Sequence, residues 1–157
     1  ESLVHRVLIF DCDVHQGDGT AVCASPSPDV FTLSIHCEKN FPARKQHSDH
    51  DVGLAKHTED QAYLQEVAAS LDAAINSFKP DFILYDAGVD IHVGDDLGLL
   101  DISTQGIHAR DSLVLGMAKS LGIPIAAVIG GGYQRDLAAL TEQHIQLVNA
   151  AVELFID

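Results

Sequence analysis

The chain has 157 residues, 46% hydrophobic and 20% charged, which fits one globular domain with a substantial core and argues against disorder. Its formal net charge is -14, from 23 acidic residues against 9 Lys plus Arg, and such a surface repels phosphate backbones, so nucleic acid is not an expected partner. No apolar stretch approaches the roughly 20 residues a membrane helix needs, so no membrane span is expected either.

In chain order, Arg6 to Phe10 predicts a buried strand. It runs directly into Asp11-Cys12-Asp13-Val14-His15-Gln16-Gly17-Asp18-Gly19, a segment dense in carboxylates around one histidine. Val30 to Ile35 predicts the next strand. The polar residues 38–57, with Pro42 and scattered His, Lys and Asp, read as a long loop expected to shape an entrance. Thr58 as N-cap with Gln61 reads as a capping box, and Leu64, Val67, Leu71 and Ile75 then follow at helical spacing to about Phe78. Pro80 ends that helix, and Phe82-Ile83-Leu84-Tyr85 predicts a third strand. Ser103 or Thr104 caps a second helix with Ile107, Val114, Met117 and Leu121 on one stripe, ended by Gly122 and Pro124. Ile125 to Ile129 predicts a fourth strand running into Gly130-Gly131-Gly132-Tyr133, and a last helix spans about Thr141 to Phe155. Strands alternating with helices predict a three-layer α/β domain, a parallel sheet with helices on both faces.

Cys12, Cys23 and Cys37 are odd in number and form no CxxC pair, which predicts buried, inert thiols in a reducing, cytoplasmic setting. The chain begins at Glu1 with no initiator Met and no signal-peptide pattern, which suggests a fragment or a processed chain.

In parallel α/β sheets the ligand crevice lies beyond the carboxyl ends of the strands. Three predicted strand ends here carry unusual residues: Asp11, Asp13, His15 and Asp18; then Asp86 to His92; then the glycines and Tyr133. Charges at the edge of a core need partners, and a divalent cation supplies one. Asp13 and His15 are two apart, so in extended backbone their side chains share a side. Asp90 offers a third ligand. Two Asp and one His leave coordination positions open, as a catalytic metal requires, and the donor set suits Zn²⁺ as well as Fe²⁺, Mn²⁺ or Co²⁺. Asp11 and Asp18 read better as supporting carboxylates than as ligands. The plainer alternatives are a helix cap and turn for the DxD and a tight turn for the glycines, which lack the spacing of a phosphate loop. His36, His47, His50, His57, His108 and His144 show no ligand spacing, while His92 lies close enough to Asp90 to line the site.

With those residues in view, the chain resembles the histone deacetylase superfamily, which includes the acetoin-utilisation and acetylpolyamine amidohydrolase proteins. DCDVHQGDGT resembles the metal-binding DxDxHxGxG motif, with Gln16 where many members carry a second His, as in class IV deacetylases. YDAGVDIHVGDDLGLLDIS resembles the segment of the second metal Asp, and GGGY that of the catalytic Tyr. The resemblance implies an arginase/deacetylase-like fold, incomplete here, with residues 1–157 as the C-terminal part of a single domain. It implies Asp13, His15 and Asp90 as zinc ligands and Tyr133 as the donor to the substrate carbonyl. It implies Asp18 and Asp11 as carboxylates supporting a catalytic histidine pair, Asp11 also near a K⁺ site to which Ser34 contributes, and Gly131 and Gly132 as lining room for an acyl-lysine chain.

The implied activity is metal-assisted hydrolysis of an acylated lysine peptide, acylated polyamine or small acylated amine. The histidine pair precedes DxDxH in the family's order, so the missing N-terminal half of the domain is the expected partner and the isolated chain is expected to be nearly inactive. Two other readings stay open: a ureohydrolase-like binuclear manganese hydrolase, and a non-catalytic metal- or partner-binding module of the same fold.

Overall fold

The computed structural model describes residues 4–156. Five strands, β1 (Val7–Asp11), β2 (Val30–Cys37), β3 (His50–Leu54), β4 (Phe82–Asp86) and β5 (Ile125–Val128), form one all-parallel sheet in the order β3-β2-β1-β4-β5. Four helices, α1 (Asp18–Ala24), α2 (Asp60–Phe78), α3 (Thr104–Leu121) and α4 (Leu137–Phe155), complete the fold. The expected parallel α/β architecture is the one found.

The core forms where two periodicities meet. Alternate strand residues Leu8 and Phe10 on β1, and Ile83 and Tyr85 on β4, are fully buried with Val67 and Leu71 of α2 and Ile107 and Val114 of α3. Each such apolar side chain contributes about 1.5–3 kcal/mol by leaving water. The central place of β1 follows from this: it pairs with β2 on one side and β4 on the other.

Several local expectations are corrected. Residues 50–54, read as loop, form β3. The sequence HDVGL hides it, because a glycine and two polar residues obscure the apolar pattern of a short edge strand. Helix α1 was not expected, since Gly19 and the carboxylate motif mask its start. The capping box at Thr58 does not form: Thr58 Oγ1 donates to the Ala55 carbonyl at 2.8 Å, and Glu59 stands at the N-cap without a side-chain bond. The last helix starts earlier than Thr141, because the Asp136 carboxylate caps it through Ala138 N–H and Ala139 N–H. Cys23 is exposed, while Cys12 and Cys37 are buried as expected. Ser103 caps α3 as expected, accepting from Gly106 N–H at 3.0 Å, and left-handed Gly122 ends it.

The strand order creates the site. The chain runs outward from β1 through β2 to β3, and α2 then carries it back to β4 on the other side of β1. The order reverses between β1 and β4, and a crevice opens beyond the carboxyl ends of strands at such a switch point. Asp11 stands there in register with Ser34 of β2 and Asp86 of β4.

Candidate metal centre

Asp13 and His15 follow β1, and Asp90 follows β4, so the switch point itself brings them together. Each offers one ligand atom, and the three atoms lie within 4.8 Å of one another. Backbone bonds fix the carboxylates. Asp13 Oδ1 accepts from His15 N–H at 2.9 Å and its Oδ2 from Gly131 N–H at 2.8 Å, while Asp90 Oδ1 accepts from Val14 N–H at 2.8 Å. The imidazole Nδ1 of His15 lies 3.0 Å from Asp13 Oδ1 and 3.1 Å from Asp90 Oδ2.

Asp90 is fully buried, and its Oδ2 has no well-directed hydrogen bond despite the nearby His15 nitrogen. A buried carboxylate oxygen in that position costs free energy unless a cation meets it. Burial pushes the Asp90 carboxyl up to about 6, while hydrogen bonds to Asp13 and Asp90 push the His15 imidazole up to about 10. Asp13 is also opposed by burial, but hydrogen bonds from the His15 ring, the His15 N–H and the Gly131 N–H hold it below the usual range. These are donors competing for positive charge, and two carboxylate oxygens with one imidazole nitrogen fit a divalent metal. Among the described residues this is the single group of that kind.

Gly131 makes the convergence possible. A Cβ there would collide with Asp90 Oδ2 and Asp13 Oδ2. At Gly132 the same atom would meet Leu140, Val89 and His144, at 2.7–2.9 Å. The two glycines therefore pack the floor of the site. Neither glycine is among the residues that line the adjoining cavity.

That cavity, about 520 Å³, is lined by Asp13, His15, Gln16, Asn40, Phe41, Leu97 and Tyr133. The Tyr133 ring stands edge-on to His15, centroids 5.9 Å apart at 84°. Partial desolvation, then the charges of Asp13, Asp90 and Asp95, push its phenol up, so it keeps its proton at neutral pH. Its backbone N–H donates to Asp95 Oδ2 at 2.7 Å, and Asp95 Oδ1 accepts from Leu97 N–H and Gly98 N–H at 2.9 Å. One carboxylate thus ties the Tyr133 segment to the loop that carries Leu97. Sequence reasoning missed Asp95; the Gly-flanked pair Asp95-Asp96 was the available turn signal.

The supporting residues are dispersed. Asp11 is buried, accepts from Asp13 N–H at 2.9 Å, and burial raises its carboxyl well above the usual range. Ser34 Oγ pairs with His36 Nδ1 at 3.0 Å. Asp18 opens α1, where its carboxylate accepts from Gly19 N–H. Among the described residues no histidine bonds to Asp11 or Asp18. His92 does not line the cavity: its Nδ1 accepts from Gln134 Nε2 at 2.7 Å and from Gly94 N–H at 3.0 Å.

Fold and site define a parallel α/β sheet with a carboxylate–imidazole cluster, able to hold a metal ion, at its switch point. Residues 1–148 match the histone deacetylase domain, and the chain belongs to that family. It is 48% identical to an uncharacterised protein of Picosynechococcus sp., over 98% of this chain and 51% of that protein. It is 32% identical to histone deacetylase 2 of Arabidopsis thaliana, over 91% of this chain and 38% of that protein. The chain thus spans about half of one relative's length and 38% of the other's. The fold also superposes on acetylpolyamine aminohydrolase from Burkholderia pseudomallei with a TM-score of 0.79 at 22% identity, covering 96% of this chain and 46% of that one.

Proposed function

We propose that this chain carries the metal-binding half of a zinc-dependent deacylase site that hydrolyses the amide of an acylated lysine or a related acylated amine. The observation that carries this reading is the clustering of Asp13, His15 and buried Asp90 at the β1/β4 switch point, beside a cavity that Asp13, His15 and Tyr133 line. Family membership supports the reaction class, and the single triad among the described residues favours one metal over the binuclear manganese site of a ureohydrolase.

Asp13, His15 and Asp90 would hold the metal, which when bound polarises an acyl carbonyl and acidifies a water. Glycine at 131 keeps the two carboxylates close enough to share it. Tyr133, protonated and half-exposed at the cavity wall, donates to the carbonyl oxygen as negative charge develops there. Phe41 and Leu97 offer apolar surface to the acylated chain. A K⁺ ion near Asp11 and Ser34 belongs to the same reading.

The cavity's titratable side chains are Asp13, His15 and Tyr133, and each already has a task. No side chain lining it is free to take the water's proton, so we expect slow turnover by the 157-residue chain alone. The test combines metal analysis with hydrolysis of an acetyl-lysine peptide. One Zn²⁺ per chain, lost in Asp90→Asn, supports the reading. Restoration of turnover by the N-terminal half of a relative, cut about 10²–10³-fold by Tyr133→Phe, supports it further. Two metals per chain, or zinc binding unaffected by Asp90→Asn, would overturn it. Zinc binding with no restored turnover leaves a non-catalytic metal module.

A further inference from the structure

Gln16 belongs to the opening motif yet takes no part in the triad. It is 4% exposed, and every polar atom of its carboxamide is used. Oε1 accepts from Gln46 N–H at 2.8 Å, and Nε2 donates to the Gln46 carbonyl and to Asp51 Oδ1, both at 2.9 Å. Pairing with both backbone groups of one residue needs a donor and an acceptor side by side on one planar group, and a second donor must remain for Asp51. A primary carboxamide has that inventory. A neutral imidazole has one donor and one acceptor pointing apart, and a carboxylate has acceptors alone.

The segment held this way forms one wall of the cavity. Lys45 Nζ donates to the Asn40 and Pro42 carbonyls at 2.7 Å, drawing the stretch back on itself. Gln16 N–H donates to the Phe41 carbonyl at 3.3 Å, and Asn40 Nδ2 to the Leu97 carbonyl at 2.9 Å. Asp51, in β3, also accepts from Ser48 N–H at 2.8 Å. Asn40, Phe41 and Leu97 all face the cavity.

We propose that Gln16 is a positioning residue whose carboxamide clamps residues 40–49 onto β3 and so sets the wall that Asn40 and Phe41 present to whatever enters the cavity. The clamp stands on hydrogen-bond geometry; only the kind of occupant, an acyl chain, rests on the function proposed above. A histidine at this position would leave the Gln46 carbonyl or Asp51 without its donor.

Gln16→His and Gln16→Glu test it in the full chain. Amide hydrogen exchange at Gln46 and Ser48 is expected to quicken about 10-fold in both variants, while β1 amides and zinc affinity stay as in the wild type. For the zinc-loaded chain, the ratio of Kd values for acetohydroxamate and octanohydroxamate is expected to change several-fold, which a merely stabilising contact would not do. Unchanged exchange at Gln46 in both variants would overturn the clamp. Faster exchange with the wild-type ratio retained would overturn its control of the wall. If neither hydroxamate binds the wild-type chain, the deacylase reading fails and the exchange measurement alone decides the clamp.

Discussion

At the scale of single residues, the centre depends on side chains that are absent as much as on those present. Gly131 leaves the space in which Asp13 and Asp90 approach each other, and its N–H holds Asp13 Oδ2. Gly131→Ala puts a methyl group against both carboxylates, and zinc affinity is expected to fall about 10–100-fold, as for outer-sphere substitutions at metal sites. Titration of the apo chain with Zn²⁺ against a competing chelator measures it, and an affinity equal to wild type would refute the role. The donor types of this centre were legible in the sequence, since DxDxH and Asp90 announce a carboxylate–imidazole set. The tasks of Gly131, Asp95 and Gln16 were not, because each depends on an atom brought from more than 25 residues away.

Among the elements, α3 and β4 are locked by a buried ion pair that no local pattern announced. Arg110 and Asp111 are both fully buried; Arg110 Nη2 lies 2.9 Å from Asp111 Oδ1, and its Nη1 donates to the Gly88 carbonyl at 2.6 Å. Tyr85 of β4 donates its hydroxyl to Asp111 Oδ1 at 2.6 Å. Arg110→Met strands a buried carboxylate and is expected to cost about 3–5 kcal/mol, of which Arg110→Met with Asp111→Leu recovers a part. Urea unfolding midpoints decide this; equal loss in the single and double variants would show that packing alone matters. At the entry to β4, Asp81 accepts from Arg6 N–H at 3.0 Å and from His5 N–H at 2.9 Å, and those bonds, Arg6's first, hold its carboxyl below the usual range. A carboxyl depressed in the folded state stabilises above its unfolded value and loses that contribution as pH falls through the folded one. Asp81→Asn is therefore expected to be less stable than wild type at neutral pH, with the gap closing as pH falls to about 3. Unfolding midpoints across that range check the sign; a gap that widens in acid would refute it.

At the largest scale, the 157 residues together carry a net charge of -14. Such self-repulsion opposes compactness, and salt relieves it. Raising ionic strength from about 0.01 to 0.15 M shortens the Debye length from about 30 to about 8 Å, so Tm is expected to rise with NaCl; a flat or falling Tm would show that local ion pairs dominate. Among the described residues no helix is long and apolar enough to cross a membrane. At this scale the division between sequence and tertiary structure becomes clear. Apolar runs such as Val7-Leu8-Ile9-Phe10 and Phe82-Ile83-Leu84-Tyr85 determined the strands, and the helical stripes determined α2 and α3, because burial of one face acts within a few consecutive turns or pleats. The sequence also determined which carboxylate and imidazole side chains stand at the strand ends. The order β3-β2-β1-β4-β5 was decided by tertiary structure alone, together with the short edge strand β3 and the partners of Gln16, Gly131 and Arg110. Those features arise from contacts between segments far apart in the chain, and local periodicity carries no record of which segments will meet.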